Sequence, residues 1–125
     1  MTDIAEFRLK LYPKDFQTVQ AFYEQTLGLP LLNEWDRGEH DKGVMFKVGT
    51  AVLELLTPEE AYRPITGVGL SLEVSDVHTL WQELQAKAPV IFTIRDNPWG
   101  DTSFCIADPE GFEVTFFTKK TNPKD

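Results

Sequence analysis

Residues 6–28, EFRLKLYPKDFQTVQAFYEQTLG, and residues 67–89, GVGLSLEVSDVHTLWQELQAKAP, decide the fold when they are laid side by side. In the first stretch Phe7, Leu9 and Leu11 alternate with Glu6, Arg8, Lys10 and Tyr12, the period of a strand covered on one face. Pro13 ends that strand. Asp15 stands where a helix cap belongs, and Phe16, Val19, Tyr23 and Leu27 then recur at helical spacing until Gly28 stops the helix. The second stretch does the same: Val68, Leu70, Leu72 and Val74 alternate with Gly69, Ser71 and Glu73, and Asp76 opens a helix. The apolar residues of that helix are Val77, Leu80, Trp81, Leu84 and Ala88, and Pro89 closes it. Adding 61 to Leu9, Leu11 and Asp15 gives Leu70, Leu72 and Asp76, and adding it to Glu54 gives Thr115. The repeat rests on element order and matched caps, not on repeated words.

Outward from these stretches, the first half continues with strands over residues 29–35, 44–48 and 51–56, the first two separated by a polar run over 36–43. The second half continues with strands over 90–95, 102–107 and 112–118. Asp108-Pro109-Glu110-Gly111 reads as a tight turn before the last strand, because Pro fixes its own φ and Gly supplies a positive one. The expected fold is α+β: two tandem βαβββ units, over about residues 4–57 and 67–118, in one domain spanning 1–125. Residues 58–66, with Pro58 and Pro64, form the linker.

The chain has 125 residues, 42% hydrophobic and 26% charged, which suits a packed core and not a disordered chain. At this length folding removes roughly two thirds of the unfolded surface from water, so neither disulfide nor structural metal is required. The 12 Lys and Arg against 20 Asp and Glu leave a net charge of −8 and a pI near 4.7. Such a balance repels phosphate backbones and excludes nucleic acid as a partner. Over long range it favours cationic or neutral ligands. The opening Met1-Thr2-Asp3 leads into no basic-then-apolar run, so neither a secretory signal nor a membrane span is expected, and the single Cys105 fits a reducing compartment. A cytoplasmic protein is the expectation.

At this point the residues resemble a known family. Asp15 followed by Phe22-Tyr23-Glu24-Gln25-Thr26-Leu27-Gly28-Leu29 is similar to the D-x(n)-F-Y-x-x-x-L-G signature of the vicinal oxygen chelate superfamily, which holds glyoxalases, bleomycin resistance proteins and dioxygenases. Pro98-Trp99-Gly100 and Asp108-Pro109-Glu110-Gly111 resemble its second-half signature, and the match runs over about residues 4–118. The resemblance implies curled mixed sheets around a shared cup, commonly completed by pairing two subunits. It also implies that metal-using members place ligands on the first and fourth strands of each unit. Seven residues before each capping Asp, those positions fall here on Arg8 and Gly69, and on the fourth strands on Glu54 and Thr115. Only Glu54 is a competent ligand, since Arg8 does not deprotonate and Gly69 has no side chain. No histidine lies in either first strand, and Glu73 and Glu113 are the other carboxylates on the cup-facing side. The expectation is therefore no resident cofactor and no metal, with Glu54 the ligand if there is one.

The residues expected to bind a ligand are Arg8, Lys10, Trp35, Glu54, Ser71, Glu73, Trp99, Glu113 and Thr115. Arg8 is expected to stand in for the metal's charge by pairing with Glu54 or by holding a ligand carboxylate or carbonyl. Trp35 and Trp99 either line the cup mouth or anchor loops, whereas Trp81 belongs to the core. His40 sits in a charged, solvated loop that can serve as a flap, His78 is expected to be exposed, and Cys105 to be packed inside a strand. The first reading is a homodimeric, metal-independent binder of a small organic molecule. An alternative is a metal-dependent lyase or dioxygenase of glyoxalase type, with a divalent metal as cofactor, and a third is an interaction module whose cup is filled. Acidity points to a cationic ligand, Arg8 and Lys10 to one with an anionic or carbonyl end.

Overall fold

The computed structural model describes residues 2–58 and 62–120. The chain divides into two compact units, between Pro64 and Ile65. In the first, β1 (Arg8–Leu11) is followed by α1 (Phe16–Ala21), a π-helical turn (Phe22–Thr26), β2 (Leu31–Asp36), β3 (Lys42–Val48) and β4 (Ala51–Leu56). In the second, β5 (Gly69–Glu73) is followed by α2 (Val77–Leu84), β6 (Val90–Asp96), β7 (Asp101–Ala107) and β8 (Glu113–Lys119). Each unit is an open four-stranded mixed sheet, in the order β1-β4-β3-β2 and β5-β8-β7-β6. This is the α+β arrangement expected from the sequence. No helix among the described residues is long and apolar enough to cross a membrane.

The two parallel ladders are the same ladder at the same offset. Arg8, Leu9, Lys10 and Leu11 face Val52, Leu53, Glu54 and Leu55, and Gly69, Leu70, Ser71 and Leu72 face Glu113, Val114, Thr115 and Phe116, every residue 61 further on. The caps match too. Asp15 accepts from the Thr18 N–H at 3.2 Å and hydroxyl at 2.8 Å, and Asp76 accepts from the Thr79 N–H at 3.1 Å and hydroxyl at 2.7 Å.

Because facing residues in a ladder share a side of the sheet, the registers sort each unit into an apolar and a polar face. In the first unit Leu11, Leu53, Leu55, Val44 and Phe46 are buried on one side with Val19, Phe22 and Tyr23 from the helical segment. In the second, Val114, Phe116, Phe104 and Ile106 are buried with Val77 and Leu84. Trp81 joins this core, its ring 5.1 Å from that of Phe104, as the helical stripe predicted. Fully burying side chains of this size contributes roughly 1.5–3 kcal/mol each, so the helix-side faces dominate stability.

Several boundaries differ from the sequence reading, each for a local reason. The first helix does not run unbroken to Gly28. After Ala21 it widens, with the Leu27 N–H donating to the Phe22 carbonyl at 2.9 Å, and the wider turn lets the neighbours Phe22 and Tyr23 both face inward with rings edge-on at 5.0 Å. The second helix stops at Leu84, where the Lys87 N–H reaches back only three residues to the Leu84 carbonyl, since the chain ahead of Pro89 is steered away from helix. β1 is four residues long and Phe7, beyond its first ladder pair, is 63% exposed. The polar run over 36–43 is strand at both ends: Asp36 pairs with Lys42 and Trp35 with Gly43, so the loop shrinks to 37–41. Of the linker over 58–66, residues 59–61 lie outside the described residues. The turn at residues 108–111 forms as read, with Gly111 at φ 86° and the Asp108 carboxylate accepting from the Glu110 and Phe112 N–H groups.

Candidate functional site

The helix-free face of the first sheet carries Arg8 and Lys10 from β1 and Glu54 from β4, with Met45 of β3 directly across from Glu54. Alternation makes this unavoidable: once Leu9, Leu11, Leu53 and Leu55 go to the helix side, their neighbours face away from it. The Arg8 guanidinium bonds Glu6 through Nε and lies with Nη1 3.9 Å from Glu54 Oε1 and 4.0 Å from Met45 Sδ. The expected pairing of Arg8 with Glu54 is thus present, but Glu6 is the closer partner. Glu6 first, and Glu54 less strongly, hold the guanidinium in its charged form, raising its pKa further. The Glu54 side chain is only 12% exposed against 44% for Arg8, so the carboxylate is the recessed member of the pair.

Lys10 and Trp35 go elsewhere. The Lys10 ammonium lies 5.9 Å from the centre of the Tyr12 ring and borders a cavity of about 500 Å3 at the end of β1 and β4, shared with Tyr12, His40, Lys42, Tyr62 and Arg63. Trp35 lies flat across Gly43 of the neighbouring strand, so closely that a Cβ at Gly43 would fall inside the indole, and the Arg37 guanidinium sits 5.8 Å from its centre. A smaller recess of about 320 Å3 runs beside it, between α1 and β2.

In the second unit Ser71, Glu113 and Thr115 share the helix-free face with Glu73, Ser103 and Cys105. Cys105 is buried as expected, 3.9 Å from Glu113 Oε1, and burial pushes its thiol pKa up, which makes it a poor nucleophile. The exposed Glu73 lies 3.9 Å from the Lys119 ammonium. The side chain of Asn97 is buried and satisfied, donating to Asp101 at 2.7 Å and Ser103 at 2.8 Å. Trp99 is 71% exposed in the turn between β6 and β7, and His78 is exposed.

The donor set at the four positions that the family resemblance singles out does not fit a divalent ion. In the first unit the one carboxylate, Glu54, faces a guanidinium, and in the second Gly69 offers no side chain and Thr115 a neutral hydroxyl. Among the described residues no group of three or more His, Cys, Asp or Glu is arranged to hold a metal.

Sequence reasoning missed the part of Lys42, Tyr62 and Arg63 in the larger cavity. The first was hidden by reading residues 36–43 as a loop, and the others by reading them as linker. The available signal was the β-former Val44 two residues after Lys42, from which the strand continues back to the turn.

A sequence model of the Glyoxalase/Bleomycin resistance protein/Dioxygenase superfamily matches residues 6–116. No curated protein matches the chain. Among solved structures, a lactoylglutathione lyase from Agrobacterium tumefaciens is similar at 26% identity, with 94% of this chain and 95% of that one covered and a TM-score of 0.71. TnmS3, an antibiotic binding protein from Streptomyces sp. CB03234, is similar at 23% identity, covering 96% and 99%, with a TM-score of 0.76. A superfamily member from Sphaerobacter thermophilus DSM 20745 reaches a TM-score of 0.77 at 18% identity, covering 94% and 98%.

Proposed function

The chain belongs to the glyoxalase/bleomycin resistance protein/dioxygenase superfamily, and from that premise we propose that it is a metal-independent, cytoplasmic small-molecule-binding protein acting as a homodimer. The observation that carries this reading is the Arg8 guanidinium 3.9 Å from Glu54, the single carboxylate among the four positions where the resemblance implies ligands. A divalent ion on Glu54 would lie beside a fixed positive charge that cannot be titrated away, and the repulsion would cost more than one carboxylate returns. The same guanidinium is suited to a ligand carbonyl or carboxylate, which it can meet with paired N–H donors. Arg8 and Glu54 would therefore orient the ligand on the helix-free face of the first unit. TnmS3, a structural neighbour, is an antibiotic binding protein, which supports a binding role. The competing reading is a metal-dependent lyase or dioxygenase of glyoxalase type, and the lactoylglutathione lyase supports its lyase part.

The two readings separate on metal content. Protein purified without added metal should contain far less than one Ni, Zn, Fe or Mn per chain, and EDTA should leave its Tm unchanged. Near-stoichiometric metal bound through Glu54 overturns the proposal. Arg8→Ala should weaken ligand binding and leave Glu54 without its cation, lowering Tm slightly, an effect that salt diminishes. Sedimentation at micromolar concentration should give twice the chain mass.

A further inference from the structure

The larger cavity of the first unit is charged in the sense opposite to the chain. The sequence carries −8 overall, yet Lys10, Lys42 and Arg63 all border this space. Asp41 is the acid among its lining residues, and it is already matched: Arg37 Nε donates to Oδ2 at 2.9 Å and Nη2 to Oδ1 at 3.2 Å. That bidentate fork, together with the Arg37 N–H bonded to the Asp41 carbonyl at 2.9 Å, closes the turn and offsets the one negative charge among the described lining residues. Neither Lys10 nor Lys42 has a carboxylate within ion-pair distance among the described residues.

The two lysines rise from fixed backbone. Lys42 is tied to the end of β4, its N–H donating to Thr57 Oγ1 at 3.1 Å and its carbonyl accepting from the Thr57 N–H at 3.1 Å. Lys10 is held in the β1–β4 ladder opposite Glu54, whose carboxylate faces Arg8. Tyr12 and Tyr62 supply aromatic surface to the lining, and Leu56 supplies apolar surface. The volume of about 500 Å3 lies within the range of small-ligand sites.

Resting on the reading of the chain as a small-molecule binder, but not on its independence of metal, we propose that this cavity takes a small aromatic carboxylate. Its carboxylate lies between Lys10 and Lys42 and its ring against Tyr12. The excess negative charge of the chain does not forbid this. At physiological salt the Debye length is about 8 Å, so the distant acids are screened while a contact between carboxylate and ammonium is not. Charge at the site and charge of the molecule thus act at different ranges.

Benzoate, benzamide and benzamidine share one ring and differ in charge, so they test the proposal directly. Titrated into the uniformly 15N-labelled full chain at millimolar concentration, benzoate should move the amides of Lys10, Tyr12, Lys42 and Thr57, benzamide should move them less, and benzamidine should leave them in place. Lys10→Gln and Lys42→Gln should each weaken benzoate about tenfold. Lys87→Gln, which removes an exposed charge in the other unit, should not. The spectrum of each variant shows directly whether it is folded. Benzamidine binding as well as benzoate, benzoate shifts confined to other residues, no benzoate shifts, or unchanged affinity in both lysine variants overturns the proposal. Stoichiometric metal would overturn the metal-free reading and leave a positive benzoate result standing. A metal-free protein blind to benzoate overturns this inference alone.

Discussion

In the first unit the sheet face turned away from the helix carries Arg8, Lys10 and Glu54, and in the second the same ladder positions, 61 residues on, carry Gly69, Ser71 and Thr115. The opposite faces hardly differ. Leu9, Leu11, Leu53 and Leu55 become Leu70, Leu72, Val114 and Phe116, and Asp15 with Thr18 becomes Asp76 with Thr79. One set of positions has kept its physical demand and the other has been released from it. The helix-side face must exclude water wherever the unit occurs, so it stays apolar. The free face is constrained only by what it touches, and at these three positions the first unit is charged and the second small and neutral. The larger cavity with its lysines belongs to the first unit, and the buried thiol of Cys105 to the second.

The comparison breaks first, if it breaks, in the cores. Phe46→Ala and Phe104→Ala each remove a fully buried ring and should each cost roughly 3–5 kcal/mol in urea unfolding. Trp35 reports the first unit, and Trp81 and Trp99 the second. A large loss from one substitution and a negligible loss from the other would show that the helix-side faces are not equivalent.

A smaller effect sharpens the difference between the units. Trp35 opposite Gly43 corresponds to Arg95 opposite Ser103, each residue 60 further on. Only the first pair needs a bare backbone, because the indole occupies the space of a Cβ. Gly43→Ala should cost roughly 1–3 kcal/mol by overpacking and shift Trp35 fluorescence. An unchanged emission spectrum would mean that the indole does not lie where the structure has it.

The smallest effects belong to the caps, where the units should agree. Thr18 and Thr79 hydroxyls, and then their N–H groups, hold the Asp15 and Asp76 carboxyls below the ordinary aspartate range. A carboxyl depressed in the folded state lends stability that is fully present above its unfolded pKa and is lost as the pH falls through its folded one. Asp15→Ala and Asp76→Ala should therefore lower Tm by similar small amounts at neutral pH, and both deficits should close in the same acid window. A deficit that persists for one of them at low pH would show that its aspartate acts other than as a charged cap.

Much of this was open to inspection in the residues. Alternation at Leu9 and Leu11, the two capping aspartates and the Asp108 turn each follow from chemistry within a few neighbours, and the offset of 61 joined them into two units. The π-turn at Phe22 was not legible, because it comes from two adjacent rings both finding apolar surroundings, which helical periodicity alone does not foresee. Of the candidate site, the placement of Arg8 near Glu54 could be read from strand parity, whereas the priority of Glu6 as its partner could not. Lys42 was misread because charged residues at a hairpin end look like loop until the partner strand supplies their hydrogen bonds.

The sequence by itself determined which side chains share a face of each sheet, since strand parity and helix caps are short-range rules that act between neighbours. Only the tertiary structure decided which of those side chains meet. Lys10 beside Tyr12 and Lys42 around one cavity, and Trp35 pressed on Gly43, depend on strand registers and turn lengths set by contacts between distant segments. A register fixes position to a fraction of a residue, and composition carries no information at that scale.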